Sequence, residues 1–459
     1  MDSDDYLTFI KLMMQYPKSF REDLGKKETK KNNYKKNGMK AIIVGGGFAG
    51  INLAKALAGK KDLQVILVDK NNYHFFPPLI YQVATSFIEA SNISYPFRKM
   101  FQAKKNIRFH YGKLLNINMN ENNIETDTGV LEYDYLVLAM GTETNYFGME
   151  NVKQKSLPLK TIDDALNLRN HLLLNMEDAA NTTNDAEKEK FRNIVIAGGG
   201  PTGVEVAGML AEMGKLILKK DYPEITGNQG NIYLVDAGHA LLAPMSSKSQ
   251  EEAYRQIKHL GVIIKLETAV KDYVDDKVIL STGEEIPTLT LIWASGVIAR
   301  TAPGLPAESI GRGRRILVDE YNKVKGTENI FAIGDICFQT ADKNYPNGHP
   351  QLAQVAIQQG KLLAKNMGNI AAGKSLKPFS YVNKGSMAII SKYKAVVDLP
   401  KVFFKGFFAW LAWLFIHIIP IAGFRNKAKL AYNWFWSFIT NDPTLRLIIR
   451  PTKENIKSN

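Results

Sequence analysis

Cysteine is almost missing: Cys337 is the single thiol among 459 residues, which excludes a disulfide framework and any Cys-x-x-Cys redox pair. The chain therefore reads as one that works in reducing surroundings. No secretion signal is expected either, because the stretch from Tyr6 to Tyr16 is broken by charge and by Gln15. Acids are in short supply. Against 59 Lys and Arg stand 45 Asp and Glu, a formal charge of +14, so the expected partner carries negative charge, either an anionic membrane or a nucleic acid. No zinc-finger spacing and no RNA-binding signature accompanies that charge, so nucleic acid is the weaker option and no metal site is expected.

Glycine is placed with purpose. In Asn193-Ile-Val-Ile-Ala-Gly-Gly-Gly-Pro-Thr-Gly-Val-Glu205 an apolar strand runs into Gly198, Gly200 and Gly203, the G-x-G-x-x-G spacing. The first glycine allows a tight turn, the second lets backbone approach a pyrophosphate, and the third permits close helix–strand packing. The helix start then offers free N–H groups to phosphate. One copy is weak support. Ala41-Ile-Ile-Val-Gly-Gly-Gly-Phe-Ala-Gly50 repeats the pattern with Gly45, Gly47 and Gly50, and two copies imply two dinucleotides.

Each copy is followed by a strand that ends in an acid. Asp69 lies 19 positions beyond Gly50, the place of a ribose anchor. Asp236 lies 33 positions beyond Gly203, so residues around 219–226 form an insertion; an acid there favours the free 2′-hydroxyl of NADH over the 2′-phosphate of NADPH. Lys248, Arg255 and Lys258 weigh the other way, although their spacing suits an exposed helix face. Strands ending in glycine at Gly141 and Gly296 lead into crossings between the two units. The charged stretch from Glu177 to Arg192 reads as a solvated helix end and linker.

Other stretches leave alternatives open. Asn72-Tyr-His-Phe-Phe-Pro-Pro-Leu-Ile-Tyr-Gln-Val-Ala-Thr85 either lines a pocket for an apolar ligand or caps a core. Cys337 reads as a small core residue. Gln351, Gln354 and Gln358 recur at helical spacing and face either a carbonyl-bearing ligand or water. Near the end, Gly406 to Phe424 carries no formal charge over 19 residues, long enough to cross a bilayer. His417, Pro420, the mid-run Trp410 and Trp413, and cations on both sides argue instead for two helices lying in the membrane surface, with a second aromatic patch at 432–439.

Together the turn Gly-Gly-Gly-Phe-Ala-Gly50, the run Leu79-Ile-Tyr-Gln-Val-Ala-Thr85, Gly-Gly-Gly-Pro-Thr-Gly-Val-Glu205, Phe331-Ala-Ile-Gly-Asp335 and Ala353-Gln-Val-Ala-Ile-Gln-Gln359 resemble the type II NADH:quinone oxidoreductases. The last run is the most specific. The resemblance implies an α/β fold of two Rossmann-like dinucleotide-binding domains plus a C-terminal membrane-associating helical segment. Its expected divisions are an FAD domain in two parts (39–155 and 301–380), an NADH domain (156–300) and a membrane-anchoring region (381–459); the residues before them (1–38) read from their composition as a basic, poorly ordered extension outside the resemblance.

By the same resemblance Gly45, Gly47, Phe48, Ala49, Gly50, Asp69, Gly141, Gly334 and Asp335 hold FAD. Gly198, Gly200, Pro201, Thr202, Gly203, Asp236 and Gly296 hold NADH. Glu205, Gln354 and Gln358 carry the chemistry, and Tyr81 and Gln82 join the two glutamines around a membrane quinone. The implied reaction passes a hydride from NADH to FAD and two electrons to quinone without proton pumping, at the cytoplasmic face of the cell membrane on an anionic lipid surface. A homodimer is left open. The alternative is an apoptosis-inducing-factor-like flavoprotein whose redox state controls partner binding. Disulfide-type relatives on the same scaffold need a cysteine pair that this chain lacks.

Overall fold

The computed structural model describes residues 38–215, 219–225, 230–440 and 446–449. The basic extension before Gly38 and the end of the chain lie outside them. The first unit is built from β1 (Met39–Val44), α1 (Phe48–Leu57), β2 (Leu63–Asp69), α2 (Ile80–Ala84), β3 (Ile107–Tyr111) and β4 (Tyr135–Leu138). In β1, Ala41 through Val44 are all buried, as expected of a parallel strand covered on both faces. It pairs in parallel with β2 on one side and β4 on the other.

A short strand, β5 (Thr142–Thr144), leads out to the second unit. There α3 (Ile162–Asn181) and α4 (Asp185–Arg192) precede β6 (Ile194–Ala197), α5 (Pro201–Met213), β7 (Ile232–Val235), α6 (Ser247–His259), β8 (Ile263–Lys265) and β9 (Thr290–Trp293). The stretch read as a solvated helix end and linker does hold the end of α3, but its remainder is mostly a second helix: Asn184 caps α4 by accepting the N–H groups of Ala186 and Glu187, which satisfies orphan donors at its start. The second sheet runs Leu157–Pro158, β9, β6, β7, β8, with parallel pairing throughout.

The chain returns through β10 (Val297–Ala299), antiparallel to β5. β11 (Ile330–Ala332) then joins the first sheet beside β4, giving the order β11, β4, β1, β2, β3. α7 (Ala353–Ala371) packs on α1 where Gly360 meets the Ala49 backbone; a Cβ there would strike the Ala49 carbonyl. A three-stranded antiparallel sheet follows, β12 (Ser386–Ser391), β13 (Lys394–Asp398) and β14 (Phe403–Gly406). Two helices follow, α8 (Phe407–Ile418) and α9 (Phe424–Thr440). Trp413, Leu430 and Trp434 from these helices enter the same core as Tyr81, Val206 and Ile389.

Candidate functional site: two glycine turns and a buried carboxyl

Both turns are built alike. Gly45 and Gly198 take φ of +107° and +117°, a region that side chains rarely enter. Cβ atoms at Gly50 and Gly203 would run into the carbonyls of Gly45 and Gly198, so each helix presses its start against its own turn. At Gly47 and Gly200, by contrast, a Cβ would meet nothing within 4 Å. That open side lies over the N-termini of α1 and α5, begun by Phe48 and Ala49 in one and by Pro201 and Thr202 in the other. Their backbone N–H groups and macrodipole ends suit phosphate.

Each strand-end acid braces its turn. Asp69 Oδ2 accepts the N–H of Gly46 at 2.6 Å and Oδ1 that of Asn71 at 2.8 Å. Asp236 accepts the N–H groups of Gly199 and Gly238. Burial pushes the Asp69 carboxyl up, against the pull of the Asn71 and Gly46 N–H groups. Carboxylate oxygens have lone pairs beyond those used here, which suits them to ribose hydroxyls. His74, which the sequence reading passed over, places Nδ1 at 3.1 Å from the Gly46 carbonyl. Burial lowers its pKa to about 4, so the ring is neutral and Nδ1–H donates.

The return strand delivers Gly334, at φ +77°, and Asp335. The Gly334 N–H donates to Gln359 Oε1 at 2.7 Å, and Gln359 Nε2 donates to Cys337 Sγ at 3.2 Å. Gln359 is fully buried. Burial raises the Asp335 carboxyl, opposed by the charges of Lys160 and Arg315. Burial likewise pushes the Cys337 thiol up to about 11, and it is a core residue. Gly141 and Gly296, at φ +66° and +71°, stand at the ends of the crossing strands β5 and β10.

A second constellation lies where α2, α5 and β12 meet. Glu205 is buried, and burial raises its carboxyl well above the usual range while the Ile389 N–H pulls it down. Tyr81 is buried as well; burial, then the charge of Glu205, raises its phenol. Gln82 Nε2 donates to Tyr81 Oη at 3.0 Å, and Trp434 Nε1 donates to Gln82 Oε1 at 2.8 Å. The structure thus brings Glu205, Tyr81 and Gln82 into one buried cluster, joined by a tryptophan from α9. Gln354 and Gln358 turn to the segment before β12: Gln354 Nε2 donates to the Gly385 carbonyl at 2.8 Å, and Gln358 both donates to and accepts from the Val382 backbone. Gln351 precedes the helix and donates to the Asp335 carbonyl at 2.9 Å.

The C-terminal helices divide their aromatics. Trp410 and Trp413 face the core, whereas Phe408 is 76% exposed, Phe415 68% and Phe424 86%. With Phe435, Trp436 and Ile439 they form an outward apolar strip far above isolated surface residues. His417 bonds the Trp413 carbonyl through Nδ1 at 2.8 Å and stacks on the Trp413 ring. Burial lowers its pKa to about 4. Among the described residues no helix is long and apolar enough to cross a membrane.

Residues 39–360 match the pyridine nucleotide-disulphide oxidoreductase family. The type II NADH:quinone oxidoreductase NdhA of Mycobacterium tuberculosis is 35% identical, the match covering 87% of each chain, and Ndh of the same organism is 32% identical over 87% and 88%. The fold is similar to that of NDH2 from Plasmodium falciparum in complex with NADH, with a TM-score of 0.81 at 22% identity, covering 90% of this chain and all of the other. The chain belongs to the type II NADH:quinone oxidoreductases.

Proposed function

We propose that the two turns divide the two nucleotides of this FAD-dependent NADH:quinone oxidoreductase between them. Gly45, Gly47, Phe48, Ala49, Gly50 and Asp69, with Gly141, Gly334 and Asp335 from the returning chain, hold FAD. Gly198, Gly200, Pro201, Thr202, Gly203, Asp236 and Gly296 hold NADH. The observation that carries this reading is the repeated brace, Asp69 on Gly46 and Asp236 on Gly199, each beside a helix start with room for phosphate. Bound FAD supplies the two-electron chemistry that links a hydride donor to a quinone.

The chain's own contribution is placement. Asp236 repels a 2′-phosphate and so selects NADH. Glu205, whose carboxyl burial raises well above the usual range, can hold a proton where a reduced quinone needs one. Tyr81 and Gln82 shape that side, with Gln354 and Gln358 fixing the 382–385 segment that leads into β12. The outward strip of α8 and α9 supports peripheral binding at the cytoplasmic face of the membrane, its apolar side chains in the leaflet boundary and flanking cations toward anionic headgroups.

The test is spectroscopic. The purified protein should be yellow, bleach faster with NADH than with NADPH, and recolour with a soluble quinone. Preparations that stay colourless after incubation with FAD would end the assignment.

A further inference from the structure

Beside the C-terminal helices lies a cavity of about 620 Å³ between α1, the segment around Tyr95, α7 and the turn joining α8 to α9. Four lysines line it: Lys55, Lys99, Lys361 and Lys427. No Asp or Glu does. Among the described residues none of the four forms an ion pair; Lys99 has only the Tyr95 ring, 5.9 Å away. Partial burial and then the charge of Lys427 lower the pKa of Lys55. The cations are therefore held together without an answering charge, an arrangement that an anion relieves.

The lip of this cavity is apolar. Ile419, 55% exposed, and Phe424, 86% exposed, continue the outward strip of α8 and α9. A ligand that fits has an anionic head for the lysines and hydrocarbon for the lip. A quinone head is uncharged and would leave four ammonium groups unanswered.

We propose that this cavity seats the phosphate headgroup of an anionic phospholipid, its acyl chains running out past Phe424 into the leaflet. This rests on the peripheral-membrane reading above and sharpens it from a surface to a site. Basic pockets beside membrane-embedded helices suit such headgroups.

Binding of the full-length holoenzyme to phosphatidylcholine vesicles, with and without phosphatidylglycerol, tests it. Wild-type protein should bind both kinds of vesicle, and phosphatidylglycerol should tighten binding. In the Lys55→Gln/Lys427→Gln double variant that gain should fall roughly tenfold or more, with NADH-to-soluble-quinone activity unchanged. Lys113→Gln/Lys343→Gln, the same loss of charge at exposed sites elsewhere, should change it less than about twofold. Equal losses in the two double variants, or no loss in the first, overturn the site. Equal wild-type binding to both vesicles overturns the site and leaves the membrane reading standing. Absence of binding to either vesicle overturns both.

Discussion

Trp434 and Gln82, 352 positions apart in sequence, share a buried hydrogen bond of 2.8 Å from the indole N–H to the amide oxygen. Because the same amide donates to Tyr81, the last helix is tied directly to the wall beside Glu205. Trp434→Phe keeps the ring packing but leaves Gln82 Oε1 buried without its donor, a loss of about 1–3 kcal/mol in stability. The quinone KM should rise several-fold while bleaching by NADH is unaffected. Stopped-flow and steady-state kinetics on one preparation separate the two; slowed bleaching would place the network on the NADH side.

Asp236→Ala removes the carboxylate that braces Gly199 and that, on the proposed assignment, repels a 2′-phosphate. We expect KM for NADH to rise tenfold or more, since a charged acceptor for ribose contributes about 1.5–3 kcal/mol. The preference for NADH over NADPH should shrink with it. Unchanged selectivity would defeat the ribose assignment.

Burial raises the pKa of Glu212, one helical face along α5 from Glu205, to about 7, against the pull of the Lys392 N–H. Between roughly pH 4.5 and 7 the folded protein therefore holds a proton that the unfolded chain has released, so stability falls as pH rises through that window and levels off above it. Glu212→Gln keeps an acceptor for Lys392. It should gain on the order of 2–3 kcal/mol at pH 8 and nothing near pH 4.5. Denaturant midpoints at the two pH values give the comparison, and equal gains at both would rule out the carboxyl as the cause.

Gly208 on α5 sits so close to β12 that a Cβ would strike the Ile390 carbonyl. Gly208→Ala favours the helix by propensity, about 1 kcal/mol, yet overpacking costs about 1–3 kcal/mol. A net loss of stability is expected in thermal unfolding. A more stable variant would mean that α5 and β12 can part without cost.

The two glycine turns were legible because their demands are local. Gly45 and Gly198 need a backbone region open to glycine, Gly50 and Gly203 need to lack a Cβ, and each next strand supplies its acid. The α/β fold followed from that repetition. What α8 does with its tryptophans was not legible: Phe407–Ile418 is apolar at nearly every position, so no periodicity marks the inward face, and Trp410 and Trp413 counted toward the membrane although they are core. Truncation there would open the core, so Phe408→Ser and Phe415→Ser are the cleaner probes of membrane binding. Gln354 and Gln358 have partners 31 and 24 residues downstream, and no local pattern announces such bonds. The helix at 185–192 carried its signal in Asn184, outweighed by the density of charge around it.

The crossing between the units has a mechanical consequence. β5 leaves and β10 returns as one antiparallel ribbon, Thr142 opposite Ala299 and Thr144 opposite Val297, with Glu143 clasped by Arg300 and Arg314. Two rails resist sliding and shear, since either would tear the ladder between them, and they leave flexing across the ribbon as the soft motion. Displacement of one unit past the other along the strand direction is thereby restrained.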